Sequence, residues 1–287
     1  MGNVRGRLLL GVATAIASVA GVVALLVALG APAVAGDDDR LLPDLVTMRI
    51  APKGQLELDR DKGRARLLLD NTVGNRGDGP LQISAAPNDG TNAGEFACKP
   101  GDYLARQEIY ADANGDGHFD REGQDGQAEP ARQPFGCMNF HPKEGHMHWH
   151  VINFTIYELL DWRTRETVAQ VRKQGFCLLD GATAFAGLPG TPDPGYFSGA
   201  GCGFSPDQAP ELEGISVGWS DVYGRYLPGQ AINITGVNAG RYCLSSKVDP
   251  LGKLAETNEE NNAHLTPIRI EPKAERVVRL PGSCPAN

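Results

Sequence analysis

The sequence predicts an all-β fold, an antiparallel β-sandwich with long irregular loops and disulfide bonds. Glycine and proline supply 36 and 20 of the 287 residues, which favours turns and short strands over long helices. Short apolar segments are separated by clusters of turn residues, as is typical of sandwich strands. Six cysteines are present and none forms a Cys-x-x-Cys pair, so disulfides are expected rather than a zinc-thiolate site.

The first 35 residues have the three-part pattern of a secretory signal peptide. Arg5 and Arg7 form a basic start, residues 8–30 carry no charge, and Ala33-Val34-Ala35 is a small-residue cleavage site. The uncharged segment is also long enough to span a bilayer, so a retained membrane anchor is the alternative. We expect cleavage after residue 35, a secreted extracellular protein, and a single domain over residues 36–287.

The charge balance disfavours two classes of function. The net charge is −8, and the first 35 residues hold two arginines and no acidic residue, so the remainder has 25 basic and 35 acidic residues. A sequence-independent nucleic-acid binder needs a basic face, and no glycine-rich phosphate loop supports a nucleotide enzyme. An acidic surface attracts cationic partners such as amines or basic proteins, although it serves solubility equally well.

Along residues 36–287, predicted strands form an early group, a central strand and a late group. They are Pro43–Ile50, Ala65–Thr72, Leu81–Ser84, 144–160, Gln230–Thr235, Arg241–Val248 and Leu265–Ile270. Residues 87–140 are rich in Gly, Asn, Asp and Pro and predict a long irregular excursion, which should have its own staple or function. Residues 181–215 are irregular too. The catalytic core is expected over 141–270.

The cysteines are expected to pair in chain order, as Cys98–Cys137, Cys177–Cys202 and Cys243–Cys284. The first two pairs bracket the irregular segments, and the third ties a tail without an obvious packing face to a strand. Each closure restricts the unfolded chain. The sequence alone leaves the connectivity open.

Three alternating histidines, His146, His148 and His150, lie in the predicted central strand. Alternate residues of a strand face the same side, and Ile152 and Phe154 continue this face, so the imidazoles are expected to point inward. Buried imidazoles without partners are costly, and neutral imidazole is a ligand of copper and zinc. The pattern therefore predicts a metal site; a surface histidine cluster is the alternative.

The context of these histidines resembles the lysyl oxidase family over about residues 136–270. The matching segments are His146–His150, Tyr157–Asp161, Val171–Asp180, Ser220–Gly224, Ile232–Thr235, Gly240–Tyr242, Val248–Pro250 and Glu256–Asn262. The resemblance implies that His146, His148 and His150 bind copper and that Lys173 and Tyr223 form a lysine tyrosylquinone. Asp221, two residues before Tyr223, is the candidate catalytic base; an aspartate capping a turn is the alternative. His141 is expected to be a surface residue, or else to orient a ligand.

A calcium loop is a further candidate at Asp112-x-Asn114-x-Asp116-Gly117-x-x-Asp120. The oxygen side chains and the glycine have the spacing of the first part of such a loop. The glutamate expected at its end is missing, and Glu122 or Asp125 is the candidate replacement. A solvated acidic loop is the alternative.

The function expected from the resemblance is a copper-dependent amine oxidase. It would convert primary amines, with peptidyl lysine as one candidate, together with oxygen and water, to aldehydes, ammonia and hydrogen peroxide. Amine oxidation needs an electron sink, which the quinone supplies. Two other classes remain open: a non-catalytic copper- or zinc-binding extracellular protein on the same scaffold, and a module that binds polymers or proteins through the sandwich alone.

Overall fold

The computed structural model describes residues 39–50, 54–90, 96, 98–142, 147–172 and 175–286. The predicted signal segment, His146 and Lys173 lie outside these residues. Within them, no helix is long and apolar enough to cross a bilayer. The only α-helix described is α1 (Gln124–Gln127), and 3₁₀ turns occur at Gly199–Cys202, Glu259–Asn261 and Pro272–Ala274.

The described residues form strands that all pair antiparallel, which confirms the predicted all-β class. They are β1 (Arg40–Leu41), β2 (Leu45–Thr47), β3 (Leu56–Asp61), β4 (Arg64–Leu69), β5 (Asn71–Asn75), β6 (Leu81–Pro87), β7 (Tyr103–Ala111), β8 (Ala131–His141), β9 (His148–Val151), β10 (Thr155–Asp161), β11 (Thr167–Arg172), β12 (Ala182–Thr183), β13 (Leu212–Ile215), β14 (Trp219–Tyr223), β15 (Ala231–Asn233), β16 (Gly240–Val248), β17 (Ala263–Glu271) and β18 (Arg276–Arg279).

Four sheets enclose two main hydrophobic cores. One core receives side chains from the sheet β13-β6-β7-β8-β9, to which β1 adds on β7, and from the sheet β12-β14-β5-β2. The other lies between the sheet β11-β10-β16-β17-β18 and the sheet β15-β4-β3. The apolar side chains that the strands bury stabilise these layers by about 25 cal/mol per Å² of apolar area removed from water.

The prediction of an irregular excursion over residues 87–140 is wrong. This segment holds β7 and most of β8, which pair from Tyr103↔Met138 to Ile109↔Ala131 in the middle of the largest sheet. Burial along β7 does not alternate, because a central strand is covered on both faces. The missing alternation hid the strand in the sequence. Irregular structure in this segment is confined to the loops that flank these two strands.

The single strand predicted over residues 144–160 is also wrong. Strand β9 ends at Val151 and β10 begins at Thr155. Between them Asn153 adopts a left-handed conformation with φ of 61°, which breaks the pleat. The face of the histidines therefore does not continue along Ile152 and Phe154. Similarly, the strand predicted at Ala65–Thr72 divides between β4 and β5.

The three predicted disulfides are confirmed. They join Cys98 to Cys137, Cys177 to Cys202 and Cys243 to Cys284. The first disulfide links the loop that precedes β7 to strand β8. The second joins the segment after Lys173 to the 3₁₀ turn at Gly199–Cys202, and the third fastens the C-terminal tail to β16.

Candidate metal and cofactor site

Strand β9 holds two histidines side by side at the edge of the largest sheet. His148 and His150 are separated by one residue, and their ring centroids lie 4.5 Å apart. His150 is buried, whereas His148 is half-buried. The alternation predicted for these two side chains is therefore present. His146 precedes the described part of the strand.

A third imidazole comes from the neighbouring strand. β8 pairs with β9 in a register that sets His141 opposite His148. The ring centroid of His141 lies 5.6 Å from that of His150. The expectation that His141 is a plain surface residue is wrong, because strand pairing brings it into the histidine cluster. The cross-strand register that does so cannot be read from local spacing.

The segment that follows Lys173 runs directly against the histidine strand. The backbone amides and carbonyls of Val151 and Phe176 exchange hydrogen bonds of 2.8 and 2.9 Å. A Cβ atom on Gly175 would approach Cγ of His150 to 2.8 Å, so only glycine permits this approach without displacing the imidazole. Lys173, two residues earlier in the sequence, lies outside the described residues.

Tyr223 is held against the same segment by the backbone amide and carbonyl of one residue, Cys177. The Cys177 amide donates a 2.6 Å hydrogen bond to the Tyr223 hydroxyl, which donates a 3.1 Å hydrogen bond to the Cys177 carbonyl. The Tyr223 ring packs on Phe176 with centroids 4.4 Å apart. Burial raises the pKa of Tyr223 well above its ordinary value, and the carboxylate of Asp221 adds to the effect. The phenol is therefore neutral in this environment.

Two buried carboxyl groups lie near Tyr223. Asp221 is buried, and it shares a face of β14 with Tyr223 because the intervening Val222 is exposed. Glu213 is fully buried on β13, and its Oε2 accepts a 3.0 Å hydrogen bond from the Leu178 amide. Burial raises the pKa of Glu213 well above its ordinary value, and Asp221 raises it further. The sequence analysis missed Glu213, since only the fold brings β13 to this segment.

The candidate calcium loop gathers a different set of ligands from the one expected. Side-chain oxygens of Asp112, Asp116 and Asp125 lie within 4.8 Å of one another. Asp125 is fully buried, and its two oxygens accept hydrogen bonds from the Ala113 and Asp120 amides. Asp125 is thus one of the two replacements considered for the missing glutamate. Asp120 is not among these three carboxylates, and the Asn114 side-chain amide donates a 3.0 Å hydrogen bond to Asp116.

A second acidic group, which the sequence analysis did not single out, lies at the turn between β16 and β17. Ligand oxygens of Asp249, Glu256 and Glu259 also lie within 4.8 Å of one another. Glu256 accepts hydrogen bonds from the Leu45 amide and the Asn262 side chain. Burial raises the pKa of Glu256 to about 8, with Glu259 and Asp249 contributing further.

Comparison with known proteins yields one family and several curated relatives. The family model described as lysyl oxidase matches residues 126–279. Protein-lysine 6-oxidase of Homo sapiens is 33% identical over 125 residues, covering 43% of this chain and 26% of that protein. The Sus scrofa protein of that name is 32% identical over 125 residues, covering 43% of this chain and 44% of its own length.

Lysyl oxidase homolog 1 of Homo sapiens is 32% identical over 118 residues, which cover 41% of this chain and 18% of that protein. The matched part therefore spans less than half the length of each of these relatives. The family match covers more than half of this chain and contains β9, Gly175–Leu178 and β14, where the histidines and Tyr223 converge. The chain belongs to the lysyl oxidase family.

Proposed function

We propose that this protein is a copper- and quinone-dependent amine oxidase that deaminates primary amines, with peptidyl lysine as the candidate protein substrate. In this proposal His146, His148 and His150 bind copper, and Lys173 and Tyr223 form the lysine tyrosylquinone. The products are an aldehyde, ammonia and hydrogen peroxide. The relatives named protein-lysine 6-oxidase support this assignment.

The observation that carries the proposal is that both β9 and β14 contact the segment Gly175–Leu178. Gly175 abuts the His150 imidazole, Phe176 pairs with β9, and Cys177 binds the Tyr223 hydroxyl. The residues immediately after Lys173 therefore contact both the histidine strand and the tyrosine. Lys173 therefore precedes, by two residues in the sequence, a segment that contacts both the histidine strand and the proposed cofactor tyrosine.

The donor set suits copper. Neutral imidazole binds copper and zinc, and the rings of His148, His150 and His141 cluster within 4.5 and 5.6 Å. His141 lies beside the ligand pair on the adjacent strand, where it can orient a ligand imidazole. When bound, copper and the quinone would supply the electron sink that amine oxidation requires.

The remaining chemistry falls to side chains of the chain itself. Asp221 shares a strand face with Tyr223 and is the proposed base for the α-proton of the amine. Asp221 and Tyr223 are both buried, which excludes water from the reacting atoms and strengthens electrostatic interactions there. The Phe176 ring fixes one side of the tyrosine. Glu213 fixes Leu178 through its amide and so supports the segment after Lys173.

We further propose that residues 1–35 are a cleaved secretory signal and that the mature protein acts outside the cell. Disulfides tie down all six cysteines, as expected of an oxidising compartment. Oxygen is the proposed second substrate. We also propose that the acidic loop binds calcium, now through Asp112, Asp116 and Asp125, with Asn114 and Asp120 in the surrounding hydrogen-bond network.

Copper loading in air tests the proposed function. The full chain is expressed, purified and loaded with copper, then reacted with phenylhydrazine and mapped by mass spectrometry. We expect a quinone adduct and a cross-linked peptide that joins Lys173 to Tyr223. Lys173→Ala and Tyr223→Phe should lose both, while Tyr226→Phe, a matched control at an exposed tyrosine, should keep them. Copper or zinc bound without any quinone would favour the non-catalytic metal-binding protein.

A further inference from the structure

A large aromatic side chain is exposed beside the histidines. Phe204 is 63% exposed, and its ring centroid lies 6.1 Å from that of His148. Exposure of an aromatic ring costs hydrophobic free energy that burial would recover. Isolated exposed apolar residues are common on protein surfaces. The distinguishing feature of Phe204 is its position beside a proposed copper ligand.

The loop that carries Phe204 is anchored to the histidine strand itself. The indole N–H of Trp149, between the two ligand candidates, donates to the carbonyls of Ser205 and Gln208 at 3.0 and 2.8 Å. The Trp149 amide also donates to the Gly203 carbonyl. Cys202, the residue before Gly203, forms a disulfide with Cys177. The backbone on both sides of Phe204 is therefore anchored, to Trp149 and through the disulfide to Cys177.

Of the two described histidines of β9, the one whose ring contacts Phe204 is the more exposed. His150 is buried, His148 is half-buried, and the neighbouring Met147 is exposed. The exposed Phe204 ring therefore lies beside the more exposed of the two histidines. The loop 203–211 carries two exposed carboxylates and no basic residue, so its charge suits an alkylammonium ion.

We propose that Phe204 determines substrate specificity by contacting the methylene chain next to the reacting amine. This inference rests on the proposed function and extends it to a substrate class. Amines at the end of a chain of several methylenes, as in a lysine side chain, are preferred over short amines. The aromatic face covers the chain, and the acidic loop attracts the ammonium group before it is deprotonated.

The kinetic test compares hexylamine with ethylamine on copper-loaded protein. Phe204→Ala should lower kcat/KM for hexylamine about tenfold, mainly through KM, because several methylenes lose their apolar contact. Ethylamine should change less than twofold. Phe204→Leu should restore most of the preference. Leu251→Ala removes a comparably exposed side chain on the turn after β16 and should leave both substrates unchanged.

A binding measurement on metal-free protein gives an independent readout. Hexylammonium should shift the Trp149 indole resonance in the wild-type protein and in Leu251→Ala, but not in Phe204→Ala.

An unchanged hexylamine-to-ethylamine ratio in Phe204→Ala with full quinone content would overturn the inference, as would an equal loss for both amines. Failure of the wild-type protein to form quinone would instead overturn the proposed function. The shift of the Trp149 indole resonance would still test whether hexylammonium binds at Phe204. Loss of self-association on Phe204→Ala, with no indole shift by any amine, would reassign the ring to a contact between copies.

Discussion

The Tyr223 hydroxyl binds the amide and the carbonyl of Cys177, at 2.6 and 3.1 Å. One side chain on β14 thereby satisfies both backbone groups of a buried residue in the segment after Lys173. Buried backbone groups rarely remain without partners. The phenol proposed as the cofactor precursor thus also has a structural role in the unprocessed chain.

Tyr223→Phe should destabilise the protein as well as remove the quinone. The Cys177 amide and carbonyl lose their partner, which costs about 1–3 kcal/mol for a buried donor. Copper should remain bound, because the histidines are unaffected. Denaturant unfolding and metal analysis of the metal-loaded variant check both parts. A variant as stable as wild type would mean that the hydroxyl does not carry these hydrogen bonds.

His148→Ala should abolish stoichiometric copper binding and all oxidase activity. His148 is half-buried and is not one of the apolar side chains that form the core, so the fold should persist. His264→Ala, which removes a histidine on β17 away from the cluster, is the matched control and should bind copper normally. The measurement is the copper content per chain in each variant. One copper per chain in His148→Ala would contradict the ligand assignment.

The local features of this fold could be predicted from the sequence, whereas the cross-strand ones could not. Alternation at His148 and His150 and the bracketing positions of Cys177 and Cys202 are visible within short segments. The placement of His141 depends on the register between β8 and β9, and that of Glu213 on the approach of β13 to Leu178. Both are long-range contacts, which a local pattern does not encode.

The pH dependence of stability should reveal the acidic group at Glu256. Because its pKa is raised to about 8, the folded protein retains a proton between about pH 4.5 and 8 that the unfolded chain releases. The free energy of unfolding should therefore fall as the pH rises through this range, by at most about 1.4 kcal/mol per pH unit. Unfolding is measured in EDTA, because a divalent cation would neutralise the group.

Glu256→Gln should flatten this pH dependence, even if its overall stability is lower. Glu260→Gln removes an exposed carboxylate of the same turn and should keep the wild-type slope. An identical slope in wild type and Glu256→Gln would exclude Glu256 as the titrating group.

Removal of the Cys177–Cys202 disulfide should reduce quinone formation more than removal of the Cys243–Cys284 disulfide does. With a sequence separation of 25, its loss should cost about 3–4 kcal/mol in the chain-entropy model. It also frees the backbone that Tyr223 binds and the loop of Phe204. The double Ala variant should form less quinone per bound copper. The matched variant at Cys243 and Cys284 should lose stability but retain quinone yield.

Calcium should stabilise the loop between β7 and β8. The oxygens of Asp112, Asp116 and Asp125 converge within 4.8 Å, and an ion would offset their mutual repulsion. A ligand that binds only the folded protein stabilises it by about 2.7 kcal/mol at a hundredfold excess over Kd. The melting temperature should therefore rise with calcium and fall with chelator.

Asp116→Ala should remove this calcium response, because it deletes one of the three converging carboxylates. Glu122→Ala is the matched control: its exposed side chain lies outside the acidic group, although the sequence left it open as a ligand. It should respond to calcium as the wild type does. A response that persists in Asp116→Ala and disappears in Glu256→Gln would assign the ion to Asp249, Glu256 and Glu259. No response in the wild type would leave the loop as a solvated turn held by its own hydrogen bonds, such as those from the Gly115 and Gly117 amides to Asp112.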